Sequence, residues 1–579
     1  MAADPDIAGR REGDGPLRAA ILACVLIVCF VILAHLAALF WLSLADGSPG
    51  ATALTYGWRN YAEVFSDSRT VDVLWNTAGF ATLSLLVALG FGLPAAWLAE
   101  RTDLPGKTFL FTMMTIGMLI PGFSAAMGWL FLLHPRIGIV NTWLVGGFGL
   151  RQPPFNIASV GGMAWVQGLN MAPLAFIMTA AVFRALDPAL EEAAQMSGAG
   201  PATTIRRVAL PLAWPGVLAA AIYVFTIGFA AFDIPAIIGW SNRIFTFSTY
   251  VYLLLSPQDV LPRYGVAAAL SVVVVAIAAA LSWWYGAMQE RSRRFAVITG
   301  RAYRPALSRL GGKVWPAWLF LGFYFLMAKI LPILLLVWSS LLPFFQPPSL
   351  RALSFVSTKH YASLPWDLAL TGARNTAVLM ILTPTLALAV ATGFSWTLLR
   401  TGNPFRKFFD FVAFLPHAIP SVVFGVAALL IALYVLQNMA PIYGTIWLLL
   451  LVFFIARLSY ATRMTNSALI QIHPELEESA RMSGAGLGQV LSRVLAPLLS
   501  PTLIYAWLWI ALLVFRELTL AVILSSGGNV TLPVVIWSLW LGGGLGQASA
   551  LAVAMLAVMA PIMALYWIVA RRRGFMAST

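Results

Sequence analysis

Twelve apolar stretches of about twenty residues or more follow one another along this chain. They lie near 18–44, 72–98, 108–131, 157–183, 213–235, 264–286, 315–341, 374–398, 408–434, 442–463, 502–525 and 548–570. Wound as helix, each is long enough to cross the ~30 Å hydrocarbon core of a bilayer. Of 579 residues, 60% are apolar and only 10% charged, whereas soluble domains run about half apolar and about a quarter charged. No soluble core hides that much apolar surface, so the chain is expected to be an all-α integral membrane protein with about twelve spanning helices. The first stretch is too long for the core of a signal peptide and follows a polar segment, 1–17, so it reads as a retained helix.

Lys and Arg set the orientation. With the N-terminus in the cytoplasm, the inside segments carry Arg10, Arg11 and Arg18, then Arg101 and Lys107, then Arg206 and Arg207. A dense cluster from Arg291 to Lys313 follows, then Arg400, Arg406 and Lys407, and finally Arg571 to Arg573. The outside loops hold only scattered residues such as Arg59, Arg136 and Arg243. This is the positive-inside bias. It accounts for the net charge of +14 without any nucleic-acid partner, and twelve crossings return the C-terminus to the cytoplasm. Cys24 and Cys29 sit inside the first apolar run and offer no disulfide or metal framework. The five histidines, His35, His134, His360, His417 and His473, show no ligand spacing.

The chain also repeats itself. Asn76-Thr77 returns as Asn375-Thr376, Arg101-Thr102 as Arg400-Thr401, and Pro121 as Pro420, each 299 positions later. Met196-Ser197-Gly198-Ala199-Gly200 returns unchanged as Met482-Ser483-Gly484-Ala485-Gly486, now 286 positions later. The difference is assigned to the outside loop after the third helix, where insertions are tolerated. Six helices per half is an even number, so both halves enter the membrane in the same sense, as a parallel repeat. The expected organisation is a first repeat at 1–286, a basic cytoplasmic linker at 287–314 and a second repeat at 315–579.

Between the fourth and fifth helices of each half lies a short amphipathic segment. The first reads Asp187-Pro188-Ala189-Leu190-Glu191-Glu192-Ala193-Ala194, then Gly198 and Gly200, and reaches Val208-Ala209-Leu210-Pro211. The second reads His473-Pro474-Glu475-Leu476-Glu477-Glu478-Ser479-Ala480, then Gly484 and Gly486, and reaches Val494-Leu495-Ala496-Pro497. Proline suits a first helical turn, and glutamate there favours the positive dipole end. The glycines allow a sharp break before the next helix. Ordinary surface helices would explain the glutamates but not the double occurrence.

This spacing resembles the EAA loop of binding-protein-dependent ABC permeases: Glu-Ala-Ala, three residues, Gly, nine residues, Ile, one residue, Leu-Pro. The first copy departs only at Val208; the second departs at Ser479, Val494 and Ala496. The resemblance implies that Glu191, Glu192, Ala193, Ala194, Gly198 and Gly200, with Glu477, Glu478, Ala480, Gly484 and Gly486, form two coupling helices. Each would seat in one of two ATP-binding subunits. It further implies a periplasmic solute-binding protein as partner, a bacterial inner-membrane location, one permease chain per complex, and alternating access driven by ATP. The chain itself is expected to be no enzyme and to bind no cofactor: Gly106-Lys107-Thr108 has the end of a phosphate-binding loop, but its leading glycine would fall at Arg101. The fused halves, with Phe515-Arg516-Glu517-Leu518-Thr519 and Leu532-Pro533-Val534-Val535-Ile536-Trp537, look most like ferric-iron permeases. Thiamine, phosphonate and polyamine importers share most of these features.

Ionisable residues within membrane segments are candidates for a translocation path. Asp233, His417, Arg516 and Glu517 qualify. Against them stands position: Asp233, Arg516 and Glu517 fall near the outer ends of their helices, where reaching water is cheap. Arg516 and Glu517, as helical neighbours, would also point about 100° apart. Lys329 and Arg457 read as tethering or packing groups. Pro121, Pro416 and Pro420 should interrupt the third and ninth helices. An ion-coupled secondary transporter is the competing class. It would require buried acidic or histidine residues at mid-membrane, which are sparse here, and it leaves the duplicated loop unexplained.

Overall fold

The computed structural model describes residues 15–47, 54–186, 188–256, 261–293 and 307–572. Arg10, Arg11, Asp187 and Arg573 lie outside the described residues, as do residues 294–306 of the basic linker expected at 287–314. The first half contains α1 (Gly15–Ser43), α2 (Ser68–Arg101), α3 (Lys107–Gly117), α4 (Gly122–Leu133), α5 (Val160–Ala185), α6 (Pro188–Met196), α7 (Arg206–Ala230), α8 (Phe247–Leu255) and α9 (Tyr264–Arg293). The second contains α10 (Gly311–Leu341), α11 (Trp366–Arg400), α12 (Arg406–Ala418), α13 (Ser421–Val435), α14 (Ile446–Ile470), α15 (Glu475–Met482), α16 (Leu487–Phe515), α17 (Thr519–Leu524), α18 (Leu532–Leu541) and α19 (Leu545–Arg572). Among the described residues, 10 helices are long and apolar enough to cross a membrane, or 12 if α3–α4 and α12–α13 each count as one bent span.

The two halves are built alike. In each, the second and fourth spans pack together, α2 on α5 and α11 on α14, and the fifth packs on the sixth, α7 on α9 and α16 on α19. Small residues permit the α2–α5 approach: a Cβ on Gly92 would lie 2.7 Å from the Ala172 carbonyl oxygen, and one on Gly168 would lie 2.7 Å from that of Ser84. In lipid, where apolar side chains gain nothing by leaving their solvent, such close backbone packing supplies much of the association energy. The repeated Asn-Thr pair has a shared task. Thr77 Oγ1 accepts the Phe247 N–H at 2.8 Å and Thr376 Oγ1 accepts the Leu532 N–H at 2.9 Å, pinning the first residues of α8 and α18. Asn375 donates to the Val530 carbonyl at 2.9 Å, and Asn76 to that of Phe245 at 3.4 Å.

The first helix of each half crosses to the other. α1 packs on α9 of its own half and on α11, α12 and α13 of the second; α10 packs on α19 of its own half and on α4 of the first. The bends at the prolines are sharp: 93° between α3 and α4, which starts after Pro121, and 98° between α12 and α13, which starts after Pro420. Proline removes a ladder donor and clashes with the preceding turn. The extra length of the first half builds a short helix, Ile139–Phe148, in the loop after α4.

Two sequence-based spans overrun their helices. The stretches at 213–235 and 502–525 end, as helix, at Ala230 and Phe515. The apolar run continues because the chain then turns back into the bundle, burying Pro235–Gly239 and Thr519–Leu524. A hydropathy window cannot separate a helix from a buried return that follows it directly.

Candidate functional sites: two tethered loop helices and a charged cavity

α2 and α11 end at the repeated arginines, and those side chains hold the loop helices. Arg101 Nη2 donates to the carbonyls of Phe183 (2.8 Å) and Leu186 (3.0 Å) and lies 3.5 Å from Glu191. Arg400 repeats the pattern: Nη2 donates to Leu469 (3.1 Å) and Ile472 (2.6 Å), and Nε donates to Glu477 at 2.7 Å. In each half the guanidinium thus satisfies one carbonyl in the last turn of the helix, α5 or α14, and one just past its end, and grips the following loop helix by its acid. Burial raises the Glu191 carboxyl above the ordinary carboxylate value, with Arg101 opposing the shift.

The two acids of each loop helix face different ways. Glu191 and Glu477, grouped by sequence with the docking residues, turn inward onto these arginines, and Glu477 is buried. Successive helical residues point about 100° apart, so Glu478 beside it is exposed, and Glu192 is partly covered. Ala193, Gly198 and Gly200 are exposed; Ala194, Ala480, Gly484 and Gly486 are partly covered. Gly198 and Gly484 both occupy the left-handed region, with φ of 82° and 83°. In each, the following residue closes the helix end: Ala199 N–H donates to the Ala194 carbonyl and Ala485 N–H to that of Ala480, both at 3.0 Å. This cap calls for glycine at the left-handed position.

Sequence reasoning missed the apolar tips. Met196 is 90% and Met482 81% exposed, and Leu190 and Leu476 are 49% and 48% exposed. The repeated pentapeptides contained these methionines, but only the structure shows the same large side chains standing free in both halves.

Between the halves lies a cavity of about 390 Å³. Asp233, His417, Arg516 and Glu517 all line it, with Arg457, Asn170, Gln167, Tyr223 and Tyr460. The expectation that Asp233, Arg516 and Glu517 reach outward to water is overturned. α16 ends at Phe515, so Arg516 and Glu517 stand on a break rather than on a helix, and the 100° divergence does not apply. Both face the cavity. Arg516 Nη1 crosses to the first half and donates to the carbonyls of Met118 (2.6 Å) and Ile120 (3.4 Å), which the bend after α3 leaves without helical partners. Arg457 pairs with Glu517, whose other oxygen accepts the Leu520 N–H at 3.2 Å. Thr519 donates to Asp233 at 3.3 Å, and Tyr223 hydrogen-bonds to His417; both contacts join the halves. Lys329 donates to Asn170 at 3.2 Å. Among the described residues, no group of three His, Cys, Asp or Glu is placed to hold a metal ion.

The repeat loses its symmetry at this cavity. Ala230 and Ala231 stand 286 positions before Arg516 and Glu517; Asn170 and Met171 stand at the same offset before Ala456 and Arg457. One copy supplies a charge or an amide where the other supplies a small or apolar group. No equivalent spacing in the sequence draws these residues together, because each comes from a different span.

The chain is similar to several known proteins. The Fe(3+)-transport system permease protein FbpB 2 of Haemophilus influenzae is 20% identical over 488 residues, covering 84% of this chain and 87% of that protein. The ferric transport system permease protein FbpB of Actinobacillus pleuropneumoniae is 23% identical over 512 residues, covering 86% and 70%. A solved bacterial ABC transporter that imports the polysaccharide alginate aligns at 21% identity and TM-score 0.37, covering 49% of this chain and 96% of that one. A duplicated six-span unit with paired loop helices also matches a family model twice, over residues 88–294 and 385–574. The chain is a member of the binding-protein-dependent transport system inner membrane component family.

Proposed function

We propose that this permease imports ferric iron, with ATP hydrolysed on two separate subunits, one docked on each loop helix. The observation that carries the transport reading is the duplicated tether. α6 and α15 hang from the ends of α2 and α11 by the same arginine grip, end in the same glycine cap, and present the same exposed Leu and Met. The recurrence of the same exposed apolar pair on both loop helices, rather than exposure alone, favours a protein contact there. Glu192, Glu478, Met196 and Met482 then meet the ATPases, while Glu191 and Glu477 transmit the motion inward through Arg101 and Arg400 to α2 and α11.

In this reading residues 1–286 and 315–579 are the two halves and 287–314 their cytoplasmic linker. Both termini and both loop helices face the cytoplasm, and a periplasmic binding protein delivers solute to the opposite face. One permease chain serves each complex. Closure of the ATPases draws α6 and α15 together, and the halves rock about the cavity, whose lining residues Asp233, His417, Arg516 and Glu517 stand on the path. The iron assignment follows from the likeness to the two bacterial ferric transport permeases.

The test is uptake of radioactive iron by a deletion strain, with and without the chain restored, under iron limitation. Loss of uptake that the restored chain reverses, with thiamine- and phosphonate-limited growth unchanged, is the expected result. Unimpaired iron uptake in a strain with no second iron importer removes iron and leaves the importer reading standing.

A further inference from the structure

We propose that the cavity between the halves binds a solute through anionic oxygens, carboxylate or phosphate, and that iron passes it only while held by such an oxyacid. The proposal rests on the importer reading above and names the chemistry its cavity selects.

Once the internal pairs are set aside, little remains to meet a solute, and what remains is mostly donor. Arg457 and Glu517 neutralise each other, and the second oxygen of Glu517 is taken by the Leu520 N–H. One oxygen of Asp233 accepts from Thr519, and the other, Oδ2, lies 3.7 Å from where a Cβ on Gly122 would stand, an acceptor left on this wall beside the Asn170 amide. His417 is taken up by Tyr223. Arg516, in contrast, makes both of its hydrogen bonds through Nη1, which leaves Nε and Nη2 to the cavity it lines. A guanidinium edge of two parallel N–H groups matches a carboxylate or phosphate.

Asn170 adds to this. Its oxygen accepts from Lys329, which fixes the flip of the amide and turns its NH2 away from the lysine. That nitrogen lies 3.3 Å from where a Cβ on Gly122 would stand, and Gly122 is itself part of the cavity wall. Lys329 therefore acts as a positioning residue: it makes Asn170 a donor toward the solute. Gln167 lines the same wall.

The cavity as built does not suit a bare cation. Hard cations call for several oxygen ligands at once, and of the two carboxylates here one is paired with Arg457 and the other gives one of its oxygens to Thr519. Arg516 also opposes a polyamine or a thiazolium by like charge. An iron complex wrapped in carboxylate or phosphate oxygens meets the guanidinium edge and the Asn170 amide instead. The asymmetry fits a single such ligand: a symmetric pair of halves would place two equal charges about the axis, whereas here only the second half carries Arg516.

The experiment uses the full chain purified in detergent, titrated with citrate, inorganic phosphate, methylphosphonate, ferric citrate and spermidine, read by calorimetry and by thermal shift. The expected result is binding of oxyanions but not spermidine, weakened roughly tenfold or more by Arg516→Gln, as loss of a charged hydrogen-bonding partner requires. Asn170→Leu, which keeps the guanidinium, is expected to weaken the same ligands, so a folding defect in one variant leaves the other to decide. Ferric citrate binding more tightly than citrate alone supports an iron complex. Methylphosphonate binding most tightly supports the oxyanion site and removes iron. Spermidine binding more tightly than every oxyanion, or oxyanion binding that both substitutions leave unchanged, overturns the proposal. Iron uptake that depends on the chain, with no oxyanion bound, overturns this inference and spares the transport reading.

Discussion

Replacing Gly198 and Gly484 by valine probes whether the caps of α6 and α15 set the docking geometry. Both glycines sit at φ above 80°, where a β-branched residue is strained by about 2 kcal/mol. No atom lies within 4 Å of a Cβ built on Gly198, so the penalty there is conformational and not a clash. A loop that must hold its docking geometry against that strain loses about 30-fold in ATPase affinity per site. The bundle should be spared, since both glycines lie in loops outside the spanning helices, where the strain can be released by local rearrangement. A series at each site separates backbone from bulk: Asn, which tolerates the left-handed region, is expected to be mildest, Ala intermediate and Val worst. The assay is co-purification of the ATPase with each variant, membrane level by blot, and uptake in vesicles. A Gly198→Val, Gly484→Val double variant that keeps its ATPase and transports at the wild-type rate refutes the reasoning.

Met196→Ala and Met482→Ala should each weaken ATPase binding by roughly 2 kcal/mol, the value of burying such a side chain, with the melting temperature of the isolated permease unchanged. Arg400→Gln should leave the membrane level of the chain intact but let α15 swing free, reducing transport more than ATPase binding; equal loss of both would argue against a transmitting role. In a background with Cys24 and Cys29 replaced, Leu350→Cys, 89% exposed between α10 and α11, should react with an impermeant thiol reagent in intact cells. Gly312→Cys should not; the opposite pattern reverses the orientation.

Much of the fold is legible because lipid imposes a length rule that hydropathy reads directly, and because the repeats mark their own register. The positive φ at Gly198 and Gly484 was foreseeable from the sharp break that the Gly-Ala-Gly segment requires. The role of Arg101 and Arg400 was not. As basic residues at helix ends they read as orientation signals, and only the fold shows them reaching carbonyls 82 and 85 positions away for Arg101 and 69 and 72 for Arg400. Arg516 and Glu517 were placed on a helix because the apolar run passes through them; the break at Phe515 leaves no mark that composition can detect. The cavity was illegible for a simpler reason. Its charges come from separate spans, and no local pattern joins Asn170, Asp233, Arg457 and Arg516.

The crossing of α1 has a consequence for how the protein is made. Its partners in the second half begin at Trp366, 323 positions beyond Ser43. At cellular rates of synthesis that distance is roughly half a minute. During that interval α1 stands in the bilayer without half of its neighbours. Its exposed Leu26, Ile27 and Phe30 suit it to wait there in lipid, since individually inserted helices are stable before they associate. Maturation of the bundle therefore ends with a late docking step, in which α11 to α13 arrive beside a helix that was threaded into the membrane first.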